Sequence, residues 1–244
     1  MPENIFVGSV ARAYDASAPE MFTPEVLDVT TAFLADASSG GRALEFAIGT
    51  GRVALPLSTR GVEVTGIDIS EDMIAVCCAK PGASAIATTV GDFATTTVPG
   101  EFALVYLVFN TISNLLHQHE TVQCFRNAAH HLAPGGRFVI ELNIPNLRSF
   151  PPGAPALAFD VRHDHVGFDL LDTATQRGIS KHFFTVGDRI IGFDTPYRYA
   201  WPAELDLMAE IAGLSFVERW ADWDRSPFTS ESTKHISVWQ RPEA

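Results

Sequence analysis

The segment ALEFAIGTGRVALPL, residues 43–57, constrains the fold more than any other part of the chain. A short apolar run is followed by Gly49-Thr50-Gly51 and then by residues that favour a helix. A glycine turn between a strand and a helix is typical of the first unit of a doubly wound sheet. The segment therefore predicts that strands and helices alternate around a parallel sheet.

The sequence up to residue 143 continues this alternation. Apolar runs predict strands at 42–48, 62–68, 84–90, 102–109 and 137–143, and amphipathic or capped segments predict helices at 24–35, 51–60, after Ser70 and at 119–132. Ser70 is expected to cap its helix, and the PGG sequence at 134–136 is expected to end the last one. Short turns between these elements favour a doubly wound parallel sheet.

The pattern changes after residue 144. Residues 145–165 are rich in proline and are predicted to be irregular, whereas 166–199 predict an antiparallel β meander. Pro202 is expected to begin a helix that runs to Ala212 and stops at Gly213. Strands at 214–223 and 234–240 are expected to form a final hairpin.

Charge and composition exclude several classes of function. The chain has 17 Lys and Arg residues against 29 Asp and Glu residues, a net charge of −12, which disfavours binding to a duplex or a tRNA. Its start is unlike a signal peptide, and no apolar run approaches the ~20 residues of a membrane span. Cys77, Cys78 and Cys124 lack disulfide or metal spacing. We therefore expect a soluble, cytoplasmic protein without a metal site.

Glu45 discriminates between the ligands that such a turn can hold. Read literally, residues 49–54 match a dinucleotide-binding fingerprint, and ligands of doubly wound sheets bind beyond the carboxyl ends of the strands. A carboxylate about 4–6 Å from a pyrophosphate would be repelled by roughly 1–4 kcal/mol per charge pair. The same carboxylate favours a ligand that carries an ammonium and a sulfonium. S-adenosylmethionine carries both groups.

Two further acidic residues end the next predicted strands. Asp68 follows the second strand, where a carboxylate can accept hydrogen bonds from both ribose hydroxyls. Asp92 follows the third and is expected to accept from the adenine amino group, with Phe93 beside the ring. Ile69 and Met73 are expected to cover the other side of the adenine. This series of acids on three strands is more specific than the glycines alone.

The motifs LEFAIGTGRVALPL, VTGIDIS, VGDF and LAPGGRFVIE resemble those of the class I S-adenosylmethionine-dependent methyltransferases. They span residues 42–141, and the whole layout is similar to small-molecule enzymes of actinobacterial natural-product pathways, such as amino-sugar N-methyltransferases. The resemblance implies a Rossmann-like, doubly wound seven-stranded sheet of the α/β class, with an inserted antiparallel meander over the active site.

The resemblance also implies roles for individual residues. The methionine end of the cofactor would be held by Glu45, Gly49 and Gly51, the ribose by Asp68, and the adenine by Asp92 and Phe93. The cofactor site would further include Ala47, Ile69, Met73, Gly91 and Asn110. Tyr14, in ARAYD, matches a tyrosine that covers the methionine moiety. Two positions depart from the family pattern: Ala47 replaces a glycine, and Ala103 replaces an acid of the fourth strand. We expect the small Ala47 to permit close approach.

The loop after the fourth strand, FNTISNLLHQH, is expected to face the transferred methyl group. Asn110 and Asn114 are candidates for orienting the acceptor or the methionine end, and His117 is the nearest candidate base. Solvated histidines at the start of a helix are an alternative interpretation of His117 and His119. His182 lies either in the acceptor pocket or on a solvated strand face, and HDH at 163–165 is weak evidence for a metal.

These observations predict one methyltransferase domain over 1–244. Residues 1–41 would form a helical lead-in or lid, 42–144 the cofactor-binding half, 145–201 a substrate-side cap, and 202–244 the last helix and hairpin. The expected reaction is methyl transfer from S-adenosylmethionine to O or N of a small molecule, leaving S-adenosylhomocysteine, by a monomer or homodimer. An NAD(P)-dependent oxidoreductase and a non-catalytic S-adenosylmethionine-binding relative are the alternatives.

Overall fold

Two β-sheets organise the computed structural model, which describes residues 6–243. The strands are β1 (Ala43–Phe46), β2 (Val64–Asp68), β3 (Ala87–Val90), β4 (Phe102–Leu107), β5 (Leu132–Asn143), β6 (Ala156–Val161), β7 (His165–Asp172), β8 (Arg177–Val186), β9 (Arg189–Arg198), β10 (Ser215–Trp220) and β11 (Lys234–Gln240). The larger sheet has the order β10-β11-β5-β4-β1-β2-β3. β1 to β5 pair in parallel, whereas β10 and β11 pair antiparallel, so the Rossmann-like prediction is confirmed.

Helices cover both faces of this sheet. The α-helices are α1 (Ser9–Ser17), which packs on α4, followed by α2 (Pro24–Ser38), α3 (Ala54–Thr59), α4 (Glu71–Cys78), α5 (Gln118–His131) and α6 (Pro202–Ile211). The Ser70 hydroxyl accepts a hydrogen bond from the Met73 N–H at 3.2 Å, which confirms the predicted cap of α4. Pro202 begins α6, and Gly213 follows its end with φ of 78°, as predicted.

Alternating residues of the central strands build two cores. Leu44 and Val105 point to one face of the sheet, where Phe125 of α5 packs on them. Ala43 and Leu104 point to the opposite face, which α2 covers. This alternation follows from the two-residue period of a strand, and burial on both faces explains the continuous apolar runs in the sequence.

The smaller sheet is a meander in the order β6-β7-β8-β9, with every neighbouring pair antiparallel. The prediction of a meander is confirmed, but the prediction that 145–165 is irregular is wrong for its second half. β6 pairs with β7 from Ala156 to Val161. It is an edge strand that follows a proline-rich stretch and exposes much of its apolar surface, so its sequence lacks the alternation of a half-buried strand.

The ends of several elements also differ from prediction. α5 ends at His131, and β5 already begins at Leu132, so the PGG sequence lies within a strand and does not end the helix. The first five residues and Ala244 of the predicted lead-in and hairpin lie outside the described residues. Between residues 6 and 243, no helix is long and apolar enough to cross a membrane, and the three cysteines are free thiols.

Candidate active site

A cavity of about 1460 Å³ lies at the carboxyl ends of β1, β2 and β4. Its lining also includes residues of α1 and of the meander strands β6 to β9. Of the residues singled out from the sequence, those that line the cavity are Tyr14, Glu45, Ala47, Gly49, Asp68, Ile69, Met73, Asp92, Phe93, Asn110, Asn114 and His182. The topology thus brings the ends of distant strands and the meander to one space.

Glu45 is buried, with 2% of its surface exposed, yet it contributes to the cavity wall. It pairs in register with Tyr106 of β4, whose hydroxyl donates a hydrogen bond to Glu45 Oε2 at 2.9 Å. Burial raises the pKa of Glu45 to about 8, while Tyr106 and the nearby Arg52 oppose the rise. The prediction from the sequence requires a charged carboxylate, whereas a pKa of about 8 leaves this carboxyl mostly protonated in the free protein at neutral pH.

Asp68 connects the glycine turn to α4. Its Oδ2 accepts the Gly49 N–H at 2.7 Å, and its Oδ1 accepts the Ser70 N–H at 2.8 Å. Burial raises the pKa of Asp68, although these backbone hydrogen bonds act against the rise. Gly49 has φ of 56°, a left-handed conformation in which glycine is favoured. The same carboxylate therefore shapes the turn and lines the cavity.

The residues predicted to contact the adenine include Asp92, whose carboxylate also stabilises the turn after β3. Asp92 Oδ1 accepts the Ala94 N–H at 2.8 Å, so one of its oxygens stabilises the turn after β3. Phe93 lines the cavity but is mostly core, with its ring 6.0 Å from that of Phe46. Ile69 and Met73 also line the cavity.

Two predicted glycines lie outside the cavity lining that the structure describes. A Cβ on Gly51 would lie 2.6 Å from Cys77 Sγ, and one on Gly91 would lie 2.2 Å from Thr96 Oγ1. Both glycines are therefore required by protein packing behind the wall. Their positions in the motifs do not distinguish this role from direct contact with a ligand.

Ala47 has φ of 56°, a left-handed backbone conformation that residues with a Cβ rarely adopt. The small side chain of Ala47 permits close approach, as expected, but the sequence gives no sign of this backbone strain. The left-handed backbone conformation destabilises a non-glycine residue by roughly 1–2 kcal/mol. Glycine would remove this strain, but it loses more conformational entropy on folding, which offsets about 0.5–1 kcal/mol of the gain.

We expect Ala47→Gly to stabilise the protein by about 0.5–1 kcal/mol, because it removes the left-handed strain at small entropic cost. Urea denaturation monitored by circular dichroism measures the difference. Ala43→Gly is the matched control, since Ala43 is a buried residue of β1 without a positive φ, and it should destabilise. Equal destabilisation by both variants would contradict the prediction.

The N-terminal helix α1 closes one side of the cavity. Tyr14 lines it and packs edge-on against Phe6, with ring centroids 5.7 Å apart. The neighbouring Asp15 accepts a hydrogen bond from the Thr50 hydroxyl at 2.6 Å and pairs with Lys80 at 2.5 Å. Burial raises the pKa of Tyr14, so its hydroxyl is neutral at pH 7. α1 is thus fastened to the glycine turn and to the end of α4.

The loop after β4 presents its asparagines but not its histidine. Asn110 and Asn114 line the cavity, and Asn110 Oδ1 accepts the Asn143 N–H at 2.6 Å. His117 is exposed and lies just before α5, at the N-cap position; it stacks on His119 and accepts a hydrogen bond from Arg177 at 2.9 Å. It is absent from the cavity lining among residues 6–243, so the structure favours the solvated interpretation of this histidine.

Arg52 and Asp169 are among the residues of the cavity wall that sequence reasoning missed. Arg52 lies three residues after Gly49 and lines the cavity, with its guanidinium 5.2 Å from the Phe109 ring centroid. Arg52 could have been found from the sequence, because a cationic residue directly after the glycine turn is a candidate for the cavity wall. Asp169 lines the cavity from β7 and accepts a hydrogen bond from the Ser180 hydroxyl at 2.5 Å. Only the meander register brings that pair together.

In the described part of the chain, no group of three or more His, Cys, Asp and Glu side chains is arranged to hold a metal ion. The two histidines of the HDH segment lie in different environments. His163 is 95% exposed at its side chain, whereas His165 is buried and hydrogen-bonded within the meander.

Comparison with known proteins places the chain among methyltransferases. A family described as "Methyltransferase domain" matches residues 43–136. The cypemycin N-terminal methyltransferase of a Streptomyces species is 25% identical over 205 residues, which are 83% of this chain and 84% of that relative. The structure of the CcbJ methyltransferase from Streptomyces caelestis is 34% identical, with a TM-score of 0.80, and the match covers 91% of this chain and 97% of that one.

A further structure shares the fold. It is the S-adenosylmethionine-bound amino pentose methyltransferase of calicheamicin biosynthesis from Micromonospora echinaspora, 21% identical with a TM-score of 0.73, and the match covers 98% of this chain and 99% of that one. These findings exclude the oxidoreductase alternative raised by residues 49–54. The chain belongs to the class I S-adenosylmethionine-dependent methyltransferases.

Proposed function

We propose that this enzyme transfers the methyl group of S-adenosylmethionine to a nitrogen or oxygen of a small-molecule acceptor, with an amine favoured. One observation carries the proposal: a single cavity is lined both by the buried Glu45 at the end of β1 and by polar residues of the meander. Residues 42–144 would hold the cofactor, 145–201 would form the acceptor side, and the N-terminal residues would act as a lid.

The side chains of the cavity fit this cofactor. A buried carboxyl with a raised pKa gains a counter-ion when a cation binds beside it, which suits the ammonium and sulfonium of the methionine end. Gly49 exposes backbone without a Cβ at the same place. We assign the ribose hydroxyls to Asp68, the adenine to Asp92, and the methionine carboxylate to Arg52.

Two observations favour an amine as the acceptor. Two of the related proteins are named for an N-terminal and an amino pentose substrate, both of which carry amines. On the meander side, Asp169 adds a carboxyl group to the cavity wall, and such a group attracts an ammonium, whereas Asp194 is paired with Lys181. Aromatic residues of the same strands, including Phe184 and Tyr197, offer apolar surface for the rest of the acceptor.

The reaction follows from positioning. The cofactor supplies a methyl carbon that the sulfonium already activates, and the acceptor heteroatom forms a bond to that carbon as the C–S bond breaks. The cavity residues hold both reactants in line, an effect worth up to ~7–11 kcal/mol. Asn110 and Tyr14 would orient the methionine end with neutral hydrogen-bonding groups.

Isothermal titration with S-adenosylhomocysteine tests the cofactor half of the proposal, and mass spectrometry of a panel of amino sugars, short peptides and phenols tests the acceptor half. We expect binding, together with a mass increase of one methyl group on at least one amine. No heat at millimolar ligand would overturn the cofactor site. Tight binding without transfer to any acceptor would favour the non-catalytic alternative.

Glu45 makes cofactor binding depend on pH. Its folded pKa of about 8 lies above the usual value of 4.5, so in the free protein the carboxyl keeps its proton up to about pH 8. A bound cation favours the carboxylate and displaces that proton. We expect about one proton to be released per S-adenosylmethionine bound at pH 7, and affinity to increase between pH 6 and 8. Binding enthalpies in buffers of different ionisation enthalpy measure the release.

Glu45→Gln should bind more weakly and release no proton from this position, because the amide does not ionise. The free energy of unfolding of the unliganded protein should fall as pH rises from about 4.5 to 8, since the folded state holds a proton there that the unfolded state has lost. Proton release near zero in the wild-type protein at pH 7 would contradict the assignment of Glu45 to the cationic end.

A further inference from the structure

A chain of hydrogen bonds crosses three strands of the meander and ends at the cavity. Asp160 Oδ2 on β6 lies 2.6 Å from His165 Nδ1 on β7, and His165 Nε2 lies 3.1 Å from His182 Nδ1 on β8. His182 lines the cavity that also contains Glu45, whereas His165 is buried, with only 7% of its side chain exposed. The Nε2 atom of His182 is the end of this chain.

The direction of the hydrogen bonds follows from what each atom can donate. A carboxylate only accepts, so His165 Nδ1 carries a proton. When His165 is neutral, its Nε2 is an acceptor, and His182 Nδ1 must donate to it. His182 Nε2 then carries a lone pair and no proton, which is the form of a general base.

The surroundings of His182 hold the ring in place. Phe193 stacks on it with ring centroids 4.9 Å apart, and Phe159 packs edge-on at 5.3 Å. Both phenylalanines line the cavity as well. Asp160 is in turn held by Arg162 at 2.8 Å, so each member of the chain has a fixed partner.

We propose that His182 is the general base of the methyl transfer and that His165 and Asp160 position it. The inference rests on the proposed function and extends it to the acceptor amine. The acceptor ammonium gives one proton to His182 Nε2, and its freed lone pair forms the C–N bond while the C–S bond breaks and the sulfur keeps the bonding pair. The imidazolium, stabilised through His165 by Asp160, then passes the proton to solvent.

The charged groups near His182 are consistent with a base that is neutral at pH 7. Burial lowers the pKa of His182, the neighbouring His165 acts in the same direction, and Asp169 opposes them. From β9, Asp194 is already paired with Lys181. The hydrogen bond from His165 keeps the pKa of Asp160 below its usual range, so that carboxylate stays ionised.

Nitrogen-15 NMR of histidine-labelled protein with S-adenosylhomocysteine tests the arrangement without an acceptor. We expect His182 to carry its proton on Nδ1 and a bare Nε2 at pH 7. Asp160→Asn should disturb this tautomer, whereas His163→Ala, a change of an exposed neighbour, should not. A proton on His182 Nε2 in the wild-type protein would overturn the proposal.

Kinetics with whichever amine of the panel is methylated give the second test. His182→Ala should lower kcat by about 100-fold or more with little change in KM, and added imidazole should restore part of the rate. Asp160→Asn should lower kcat by about tenfold and move the acidic limb of the kcat–pH profile to lower pH, and Asp160→Glu should recover it. A His182→Ala enzyme with the wild-type rate would overturn the proposal.

The two proposals fail in different ways. If the wild-type protein neither binds S-adenosylhomocysteine nor methylates any amine, the proposed function is wrong, while the NMR experiment still decides the state of His182. If the wild-type enzyme methylates an amine and the His182 and Asp160 variants match it at every pH, the base assignment alone is wrong.

Discussion

Replacing Asp68 by alanine is expected to weaken the binding of S-adenosylhomocysteine by at least tenfold, and by about 100-fold if both proposed ribose hydrogen bonds are lost. Hydrogen bonds to a charged group contribute about 1.5–3 kcal/mol each, and 1.4 kcal/mol corresponds to a factor of ten. The variant also leaves the Gly49 and Ser70 N–H groups without their acceptor. Isothermal titration measures the dissociation constant.

A ligand cycle separates ribose contact from support of the turn. A 2′,3′-dideoxy analogue of S-adenosylhomocysteine should bind the wild-type protein more weakly than the parent ligand, but the Asp68→Ala variant should bind both about equally. Glu63→Gln is the control, because Glu63 is an exposed acid just before β2 that pairs with Arg42. Parallel losses for the two ligands in the Asp68 variant would assign the effect to the turn, and an unchanged dissociation constant would refute both roles.

Removing Glu204 is expected to lower the free energy of unfolding by about 3–5 kcal/mol, because it leaves a buried guanidinium without its counter-ion. Arg198, at the end of β9, is 5% exposed and donates to Glu204 near the start of α6. Gln176 and Gln118 also donate to this carboxylate, each at 2.8 Å. One carboxylate thus fixes the meander to both α5 and α6.

Urea denaturation of Glu204→Ala measures this loss, with Glu210→Ala as the control on the exposed side of the same helix. Replacing Arg198 and Glu204 together by methionine should recover much of the stability, since no buried charge then remains. A Glu204→Ala protein within about 0.5 kcal/mol of the wild type would show that the pair is dispensable.

The Glu204 contribution also depends on pH. Burial by itself would raise its pKa, but the hydrogen bonds from Arg198, Gln176 and Gln118 lower it overall. A lowered folded pKa means that the stabilisation is present above the usual value of 4.5 and is lost as pH falls below it. The difference between wild type and the Glu204 variant should therefore shrink in acid.

The sheet was predictable because local sequence carries its signals. Buried central strands such as β4 are continuous apolar runs. Ser70 marks the start of α4 because its hydroxyl accepts a backbone N–H of the first turn, and Pro202 marks the start of α6 because its fixed φ suits the first helical position. The first strand ends at Phe46, two residues before its predicted end, because Ala47 turns into a left-handed conformation. No feature of the alanine side chain signals that turn.

The cofactor side of the site was easier to predict than the acceptor side. Glu45, Asp68 and Asp92 lie at or just after the carboxyl ends of β1, β2 and β3, so parallel topology alone brings them together. The contact between Asp160, His165 and His182 depends on the register of two antiparallel strand pairs, which local sequence does not specify. His117 follows β4 closely in the sequence, which made it a candidate base. In the structure it lies just before α5 on the exposed surface, where Arg177 donates a hydrogen bond to it.

The pairing of β11 with β5 has a consequence for how the chain tolerates change. Lys234 lies opposite Asn143, so the sheet is completed only after an excursion that contains the whole meander. Loop-closure entropy grows only logarithmically with length, and doubling such an excursion costs only about 0.6 kcal/mol. The four-stranded sheet can therefore be lengthened, shortened or exchanged with little loss of stability in the seven-stranded sheet, provided that an ion pair such as Arg198–Glu204 still joins the two.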